Sequence, residues 1–337
     1  MTSPPRRPTI VDVAKEAGVS KSLVSLALRD GQGVGASTRR RIVEVAEQLG
    51  YRSNTWAASL ARGRSHLIGI VVNDLHSGYH TDIVDGIEDA AASDGFAVVL
   101  SHGRRDPVIA AARLDSLGGM GVEAIVVVSG QIDRRDLERA SRSRPVVVVG
   151  RPHEVPEGIG QVSNDDRLGA RLAVHHLAAL GHRRIAHVTS SRRPAAEERR
   201  EAYLETMEQL GLAEHAEILE PDAAFARLSD PAGCPSAVFA ANDRLARDLV
   251  GAAFDAGVDV PGALSVVGYD DTDLARALRP ALTSVEQPRR DMGHRAFALV
   301  GSLLAGDQVR HEVIEPRLVV RDSTTAAAGW TVAGVSR

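Results

Sequence analysis

The fold of the N-terminal part of the chain is decided by residues 9–28, which read TIVDVAKEAGVSKSLVSLAL. Apolar residues fall at helical spacing in two short blocks separated by Gly18, so the stretch predicts two helices joined by a tight turn. Thr9 and Asp12 have the spacing of a weak capping box, and Ser20 is a natural N-cap for the second helix. Taken alone, this pattern fits both an ordinary helical hairpin and a DNA-binding helix-turn-helix.

The charge distribution favours the helix-turn-helix. Residues 1–64 contain 11 Lys or Arg and 5 Asp or Glu, a net charge of +6, and the whole chain carries −4, so the remainder carries −10. A basic head on an acidic body is typical of a nucleic-acid reader joined to a second module. The outer side of the second helix carries Lys21, Ser22, Ser25, Leu26 and Arg29.

Composition limits the class of protein. A chain of 337 residues accommodates a small head and a full-sized α/β body. Cys234 is the single cysteine, which excludes an intramolecular disulfide and fits a reducing compartment. No apolar run reaches transmembrane length, and residues 1–30 lack a secretory hydrophobic core. We therefore expect a cytoplasmic protein with no membrane partner.

The pattern changes after the head. Ser37 is expected to cap a third helix that runs through Leu49 and stops at Gly50. From Leu67 onward, short apolar runs alternate with helix-length segments, at residues 67–72, 97–100, 124–128, 146–149, 185–188, 237–240 and 264–268. This alternation predicts an α/β body with doubly wound parallel sheets in two lobes, and a ligand site between the lobes beyond the carboxyl ends of the strands.

Several motifs in order resemble the LacI/GalR family of bacterial transcriptional repressors over nearly the whole chain. They lie at residues 9–14, 17–20, 24–25, 49–54, 67–69, 175–185, 241–243, 264–271 and 280–285. The resemblance implies a homodimeric repressor that reads two half-sites of a near-palindromic operator. It also implies a periplasmic-binding-protein-like body whose cleft takes a small effector, a sugar or sugar derivative. Residues 324–337 contain no leucine heptad, so no higher assembly is expected.

The resemblance also implies a domain organisation. A helix-turn-helix domain occupies 1–53, a hinge helix and linker 54–65, an effector-binding and dimerisation domain 66–325, and a tail 326–337. Within the third part, lobe 1 comprises about 66–163 plus 288–311, and lobe 2 comprises about 164–287 plus 312–325.

Residues that contact DNA follow by position from the resemblance. They are Thr9, Ser20, Lys21, Ser22, Ser25, Leu26, Arg29, Thr38, Tyr51, Asn54, Ala57 and Leu60. Leu60 matches the family's minor-groove wedge, with Ala57 on the same face, although packing between the domains is the alternative. The family commonly has Arg where this chain has Leu26, and leucine cannot make the bidentate contact to guanine. The operator sequence therefore does not carry over.

Effector contacts also follow by position. They are Tyr79, His80, Arg151, Arg199, Asn242, Asp243 and Asp270. Arginine donors, carboxylate acceptors and an aromatic face suit a polyol. As alternatives, Arg199 could lie on a solvated charged helix, Asp243 could cap a helix, and His80 could be structural. The segment 220–235 is shorter than is usual in the family, which predicts a cleft with one wall cut back.

Three other functional classes compete with this interpretation. An enzyme is disfavoured because the sequence contains no zinc-ligand spacing and no nucleophile motif, so no cofactor or metal is expected. A secreted solute-binding protein would not need the basic head. An architectural DNA-binding protein would not need a large body with a cleft.

Overall fold

The computed structural model describes residues 8–28, 33–51, 64–128, 132–228 and 234–327. The chain forms two compact units, Met1–Ser65 and His66–Arg337. Within the described ranges, no helix is both long and apolar enough to cross a bilayer.

The first unit contains the two predicted helices, α1 (Ile10–Glu16) and α2 (Lys21–Ala27). The backbone N–H and the hydroxyl of Thr9 both donate to the Asp12 carboxylate at 2.7 Å, and the Ser20 hydroxyl accepts from the Leu23 N–H at 3.1 Å. Gly18 adopts φ +63°, the left-handed conformation that ends α1 and turns the chain. The helix, turn and capping predictions for this stretch are confirmed.

The third helix, α3 (Ala36–Gln48), begins one residue before the predicted cap. The Gly35 carbonyl accepts from the Arg39 N–H at 2.9 Å, so the helical bonds start before Ser37 and the predicted Ser37 cap is wrong. Gly50, at φ +65°, ends the helix as predicted. The three helices enclose one small core of Val13, Ala14, Ala17, Val24, Ala27, Ile42 and Ala46.

Lobe 1 of the second unit is a six-stranded parallel sheet with the order β2-β1-β3-β4-β5-β11. Its strands are β1 (Leu67–Val72), β2 (Ala97–His102), β3 (Ala124–Val128), β4 (Val146–Val149), β5 (Gly160–Asn164) and β11 (His311–Ile314). Its helices are α4 (Gly78–Ser93), α5 (Pro107–Gly119), α6 (Arg134–Ser141) and α12 (Arg289–Ala305). Every residue of β3 and β4 is buried, as expected for strands covered by helices on both faces.

Lobe 2 has a second six-stranded sheet with the order β7-β6-β8-β9-β10-β12. Its strands are β6 (Ile185–Val188), β7 (Glu217–Leu219), β8 (Ala237–Ala240), β9 (Ser265–Asp270), β10 (Thr283–Glu286) and β12 (Arg317–Val319). Its helices are α7 (Asp166–Ala179), α8 (Pro194–Gln209), α9 (Pro221–Leu228), α10 (Asp243–Asp255) and α11 (Asp273–Ala277), with a 3-10 turn at Ala213–His215.

Two details differ from the sequence predictions. Strand β12 pairs antiparallel with β10, so the second sheet is mixed at its edge. Strand β11 pairs with β5, so lobe 1 extends to Ile314. Residues 312–314, which were predicted to lie in lobe 2, therefore belong to lobe 1. The seven apolar runs all form strands, as predicted. Five further strands were not among the predicted runs: β5, β7, β10, β11 and β12.

Helices α4 and α12 cross at unusually close range because each has a glycine at the contact. A β-carbon at Gly293 would lie 2.3 Å from the Ile83 carbonyl oxygen, and one at Gly86 would lie 2.2 Å from the Arg290 carbonyl oxygen. Both distances are far inside van der Waals contact. The two glycines therefore fix how lobe 1 is covered on this face.

Substituting Gly293→Ala should lower the free energy of unfolding by about 1–3 kcal/mol, because α4 and α12 must separate to admit the methyl group. Gly301→Ala is the matched control in the same helix, since a β-carbon there meets open space. The control should raise the free energy of unfolding by roughly 0.5–1 kcal/mol through lower backbone entropy in the unfolded chain. Urea denaturation measures both, and equal stability of the two variants would contradict the close crossing.

Candidate effector site and DNA-binding surface

The carboxyl ends of strands from both sheets point to the space between the lobes. Loops after β1, β4 and β5 approach from lobe 1, and loops after β6, β8 and β9 approach from lobe 2. In each sheet the strand order reverses at the strand next to one edge, β1 in lobe 1 and β6 in lobe 2, and open α/β sheets bind ligands at such a point. Two cavities lie here, a smaller one of about 500 Å³ and a larger one of about 1140 Å³. The described residues of the shortened segment, 220–228 and 234–235, line neither cavity.

The smaller cavity brings together six of the seven residues expected to contact the effector. They are Tyr79, His80, Arg151, Arg199, Asn242 and Asp270. These residues come from five separate segments of the chain, so only the folded body places them side by side. Asp243 is the exception: it borders the larger cavity instead.

Arg199 is a buried guanidinium rather than part of a solvated helix face. Its side chain is 12% exposed, and its Nη1 lies 3.4 Å from an Asp166 carboxylate oxygen. The guanidinium stacks on the ring of Tyr269, 4.3 Å from the ring centroid. An opposite charge and an aromatic face together compensate its loss of hydration. The alternative of a solvated charged helix is therefore wrong for Arg199.

Asn164 and Asp166 complete this polar cluster, and the sequence analysis missed both. The Asn164 side-chain N–H donates to the Tyr269 hydroxyl at 2.8 Å, and that hydroxyl donates to Asp166 at 3.2 Å. The two residues flank the end of β5, a strand with too few apolar residues to be recognised. Had that strand been recognised, the polar residues at its carboxyl end would have been candidates, because ligands bind beyond the carboxyl ends of strands in such sheets.

Three polar atoms at the smaller cavity have no hydrogen-bond partner among the described residues. They are Arg151 Nε, Arg199 Nε and Asn164 Oδ1, which are buried and make no hydrogen bond with any described residue. Buried polar groups are nearly always paired, so unpaired ones at a cavity wall indicate groups that a ligand satisfies. The two arginine N–H groups are donors, and the amide oxygen of Asn164 is an acceptor.

Asp270 is held in an unusual conformation at the cavity wall. Its φ is +99°, a conformation that side-chain-bearing residues rarely adopt, and the Gln287 side-chain N–H donates to its carboxylate at 2.7 Å. Burial, followed by the nearby charge of Asp243, raises the pKa of Asp270 to about 7. The carboxyl group can therefore accept or donate a hydrogen bond near neutral pH.

Asp243 is engaged inside the protein. It is 1% exposed and accepts hydrogen bonds from the Thr272 N–H at 2.7 Å, the Thr272 hydroxyl at 2.9 Å and the Ser284 hydroxyl at 2.5 Å. It does not cap α10 either, since the Asn242 side chain accepts from the Leu245 N–H at 2.9 Å. We assign Asp243 to holding together the start of α10, the loop after β9 and strand β10 of lobe 2.

His80 has a structural role, which the sequence analysis gave as the alternative to an effector contact. Its Nδ1 lies 3.0 Å from the Asp74 carbonyl oxygen and is the donor there, which ties α4 to the loop after β1. Burial lowers the pKa of His80 to about 4, so the ring is neutral at pH 7. Tyr79 meets it edge to face, with ring centroids 5.4 Å apart.

The residues of the first unit that are expected to contact DNA differ in their exposure. Lys21 and Ser22 are exposed, Leu26 is 39% exposed, and Ser25 and Thr38 are half-buried. Thr9 and Ser20 cap helices, and Tyr51 packs against the small core. Arg29, Asn54, Ala57 and Leu60 lie outside the described residues.

Comparison with known proteins identifies the family of both units. Residues 9–54 match the bacterial regulatory proteins of the lacI family, and residues 174–324 match the periplasmic binding protein-like domain. Catabolite control protein A of Priestia megaterium is 30% identical, over 94% of this chain and 99% of its own length. The transcriptional regulator MalR of Streptomyces coelicolor is 32% identical, over 95% and 97%.

Solved structures agree over nearly the whole chain. The Lac repressor dimer bound to operator and the anti-inducer ONPF matches with a TM-score of 0.83 and 26% identity, covering 95% of this chain and 100% of that one. The complex of the transcriptional regulator CelR with cellobiose matches with a TM-score of 0.68 and 29% identity, covering 94% and 100%. The chain thus belongs to the lacI family of DNA-binding transcriptional regulators, and it is a regulator with an effector-binding domain rather than an enzyme.

Proposed function

We propose that this regulator is a repressor that binds a near-palindromic operator as a homodimer. Its effector is a small polyhydroxylated molecule, a sugar or sugar derivative, that binds in the smaller cavity. The observation that carries the effector proposal is the set of unpaired polar atoms there, Arg151 Nε, Arg199 Nε and Asn164 Oδ1.

The chemistry of the cavity wall suits hydroxyl groups. Two unpaired donors and one unpaired acceptor call for a ligand that both accepts and donates over a short distance, and each hydroxyl group does both. Asp166 and Asp270 add carboxylate oxygens beside them. A volume of about 500 Å³ lies in the range of small-molecule sites. Cellobiose in the CelR complex is a ligand of this class.

The operator and dimer proposals rest on different observations. Lys21 and Ser22 leave a basic, polar edge on α2 for the major groove, and the Lac repressor binds its operator as a dimer. Apolar side chains are also exposed on neighbouring elements of lobe 1, with Leu100 of edge strand β2 at 44% and Val108 of α5 at 78%. Exposed apolar surface of this kind is suited to contact with a second copy.

Effector binding should depend on Arg151. Arg151→Gln removes an unpaired donor from the cavity wall, and we expect sugar affinity to fall about tenfold or more, the loss of one hydrogen bond to a charged group. The side chain is 30% exposed and its ion pair with Glu198 is long, at 3.9 Å, so the free energy of unfolding should change little. A thermal-shift screen of sugars followed by calorimetry measures this.

Arg142→Gln is the matched control for Arg151→Gln. Arg142 is exposed, follows α6 and lines neither cavity, so the same charge change should leave sugar binding as in the wild type. A sugar that binds the two variants with equal affinity would contradict the assignment of the cavity.

Substitutions of Lys21 and of Leu26 should have different effects on operator binding. Leu26→Arg adds a guanine-reading side chain, so the preferred base at one position per half-site should shift toward guanine by about 1–3 kcal/mol. Lys21→Ala should instead weaken binding similarly across sequences and reduce its salt dependence, as expected for a phosphate contact. Operator selection followed by sequencing, with stoichiometry checked at two chains per duplex, tests both. If Leu26→Arg prefers the same operator sequence as the wild type, α2 is not the recognition helix.

A further inference from the structure

We propose that the larger cavity binds a phosphate group of the effector, so that the effector is a phosphorylated polyol. This inference rests on the proposed function, because the hydroxyl groups of the same molecule would occupy the smaller cavity. The two cavities adjoin, since Ser191, Arg193 and Asn242 line both. One ligand can therefore reach both sets of side chains.

Arginine side chains from both lobes surround the larger cavity. Lobe 1 contributes Arg105, and lobe 2 contributes Arg192, Arg193, Arg244 and Arg247. Arg192 is exposed and forms no ion pair with any described residue. Guanidinium groups that converge from several directions suit the three terminal oxygens of a phosphate, to which arginine binds in a planar, bidentate manner.

The positive charges on the two sides of the cavity repel each other. Burial is the main cause that lowers the pKa of Arg193, and the charge of Arg105 lowers it further. The same two arginines also lower the pKa of His80, after the larger effect of burial. An anion between Arg105 and Arg193 would relieve this repulsion across the cleft.

Four of the five described acids that line the larger cavity are paired within the protein, one of them with arginines of the cavity itself. Asp74 accepts from Arg105 Nε at 3.1 Å and lies 3.8 Å from Arg244, which holds it as a bridge between two of the cavity's own arginines. Asp273 is exposed at the start of α11. The remaining acids bind neutral donors or an arginine outside the cavity: Asp82 pairs with Arg289, Asp243 with Thr272 and Ser284, and Asp270 with Gln287.

The backbone at the cavity adds to this preference for an anion. Residues 189–193 link β6, the strand of lobe 2 at which the strand order reverses, to the start of α8. Helix α8 is 16 residues long, and its N-cap residue Arg193 lines both cavities, whereas Pro194, Ala195 and Ala196 of its first turn line only the smaller one. The N-terminus of a long helix carries partial positive charge and favours phosphate.

The test is calorimetric titration of the full chain at fixed ionic strength with inorganic phosphate, with hexose 6-phosphates and with the parent hexoses. We expect inorganic phosphate to bind, and a hexose 6-phosphate to bind more tightly than phosphate or its parent hexose. Arg193→Gln should weaken binding of both phosphate ligands about tenfold or more, the effect of one charge-assisted hydrogen bond. Arg105→Gln, from the opposite lobe, should do the same.

Arg200→Gln is the matched control. Arg200 lies on the same helix, is 38% exposed and lines neither cavity, so this variant should bind phosphate ligands like the wild type. The inference is overturned if phosphate fails to bind at tens of millimolar. It is also overturned if both Arg193→Gln and Arg105→Gln bind phosphate as the control does, or if no hexose 6-phosphate binds more tightly than free phosphate.

The outcomes also separate this inference from the proposed function. Neutral sugars that bind in an Arg151-dependent manner, without any Arg193-dependent phosphate binding, would overturn the phosphate site alone. The opposite result is that phosphate binding depends on Arg193 but Arg151→Gln changes the affinity of no sugar or sugar phosphate. This result would overturn the polyol assignment of the smaller cavity and the link between the two sites.

Discussion

A buried guanidinium between the two lobes is the interaction on which the candidate site depends. Arg199 would be too costly to bury alone, and it is tolerated because Asp166 supplies the opposite charge and Tyr269 supplies an aromatic face. The compensation is incomplete, since Arg199 Nε and Asn164 Oδ1 make no hydrogen bond within the part of the chain that the structure describes. Each such atom costs about 1–3 kcal/mol. A ligand that pairs them recovers this free energy, so the cavity is built for an occupant that forms hydrogen bonds.

The position of this cluster also explains how a ligand could act at a distance. Asn164 ends β5 in lobe 1 and Asp166 begins α7 in lobe 2, so both lie where the chain crosses between the lobes. Gln287, which binds Asp270, lies at a second crossing, between β10 and α12. The proposed ligand site therefore includes segments that must adjust whenever the lobes change their relative position. A ligand that prefers one arrangement shifts the population toward it.

Much of this architecture could be predicted from sequence because its signals are local. The helix-turn-helix depends on Gly18 and Ser20, whose conformation and capping are properties of a few adjacent residues. The buried strands depend on uninterrupted apolar runs such as 146–149. Strands β5 and β11 escaped prediction because their residues alternate or are mostly polar, and β12 because only pairing with β10 defines it.

The candidate site was predictable only in part, for a different reason. Arg151, Arg199 and Asp270 carried over by position, and the fold brings them to one cavity. The burial of Asp243 by Thr272 and Ser284 depends on side chains 29 and 41 residues away, which no local pattern reveals. Asn164 was missed because its strand was missed. The arginines of the larger cavity come from both lobes and become a group only when the lobes meet.

We expect an occupant of the smaller cavity and the operator to bias the same equilibrium of the body. The most direct measurement is a thermodynamic cycle on the full chain, with operator affinity determined with and without the effector and effector affinity determined with and without the operator. Linkage requires the two factors to be equal, and a coupling of about 5- to 150-fold is expected. A ligand whose affinity falls in Arg151→Gln, yet which leaves operator affinity unchanged in the wild type, would show that the smaller cavity and the operator are not coupled.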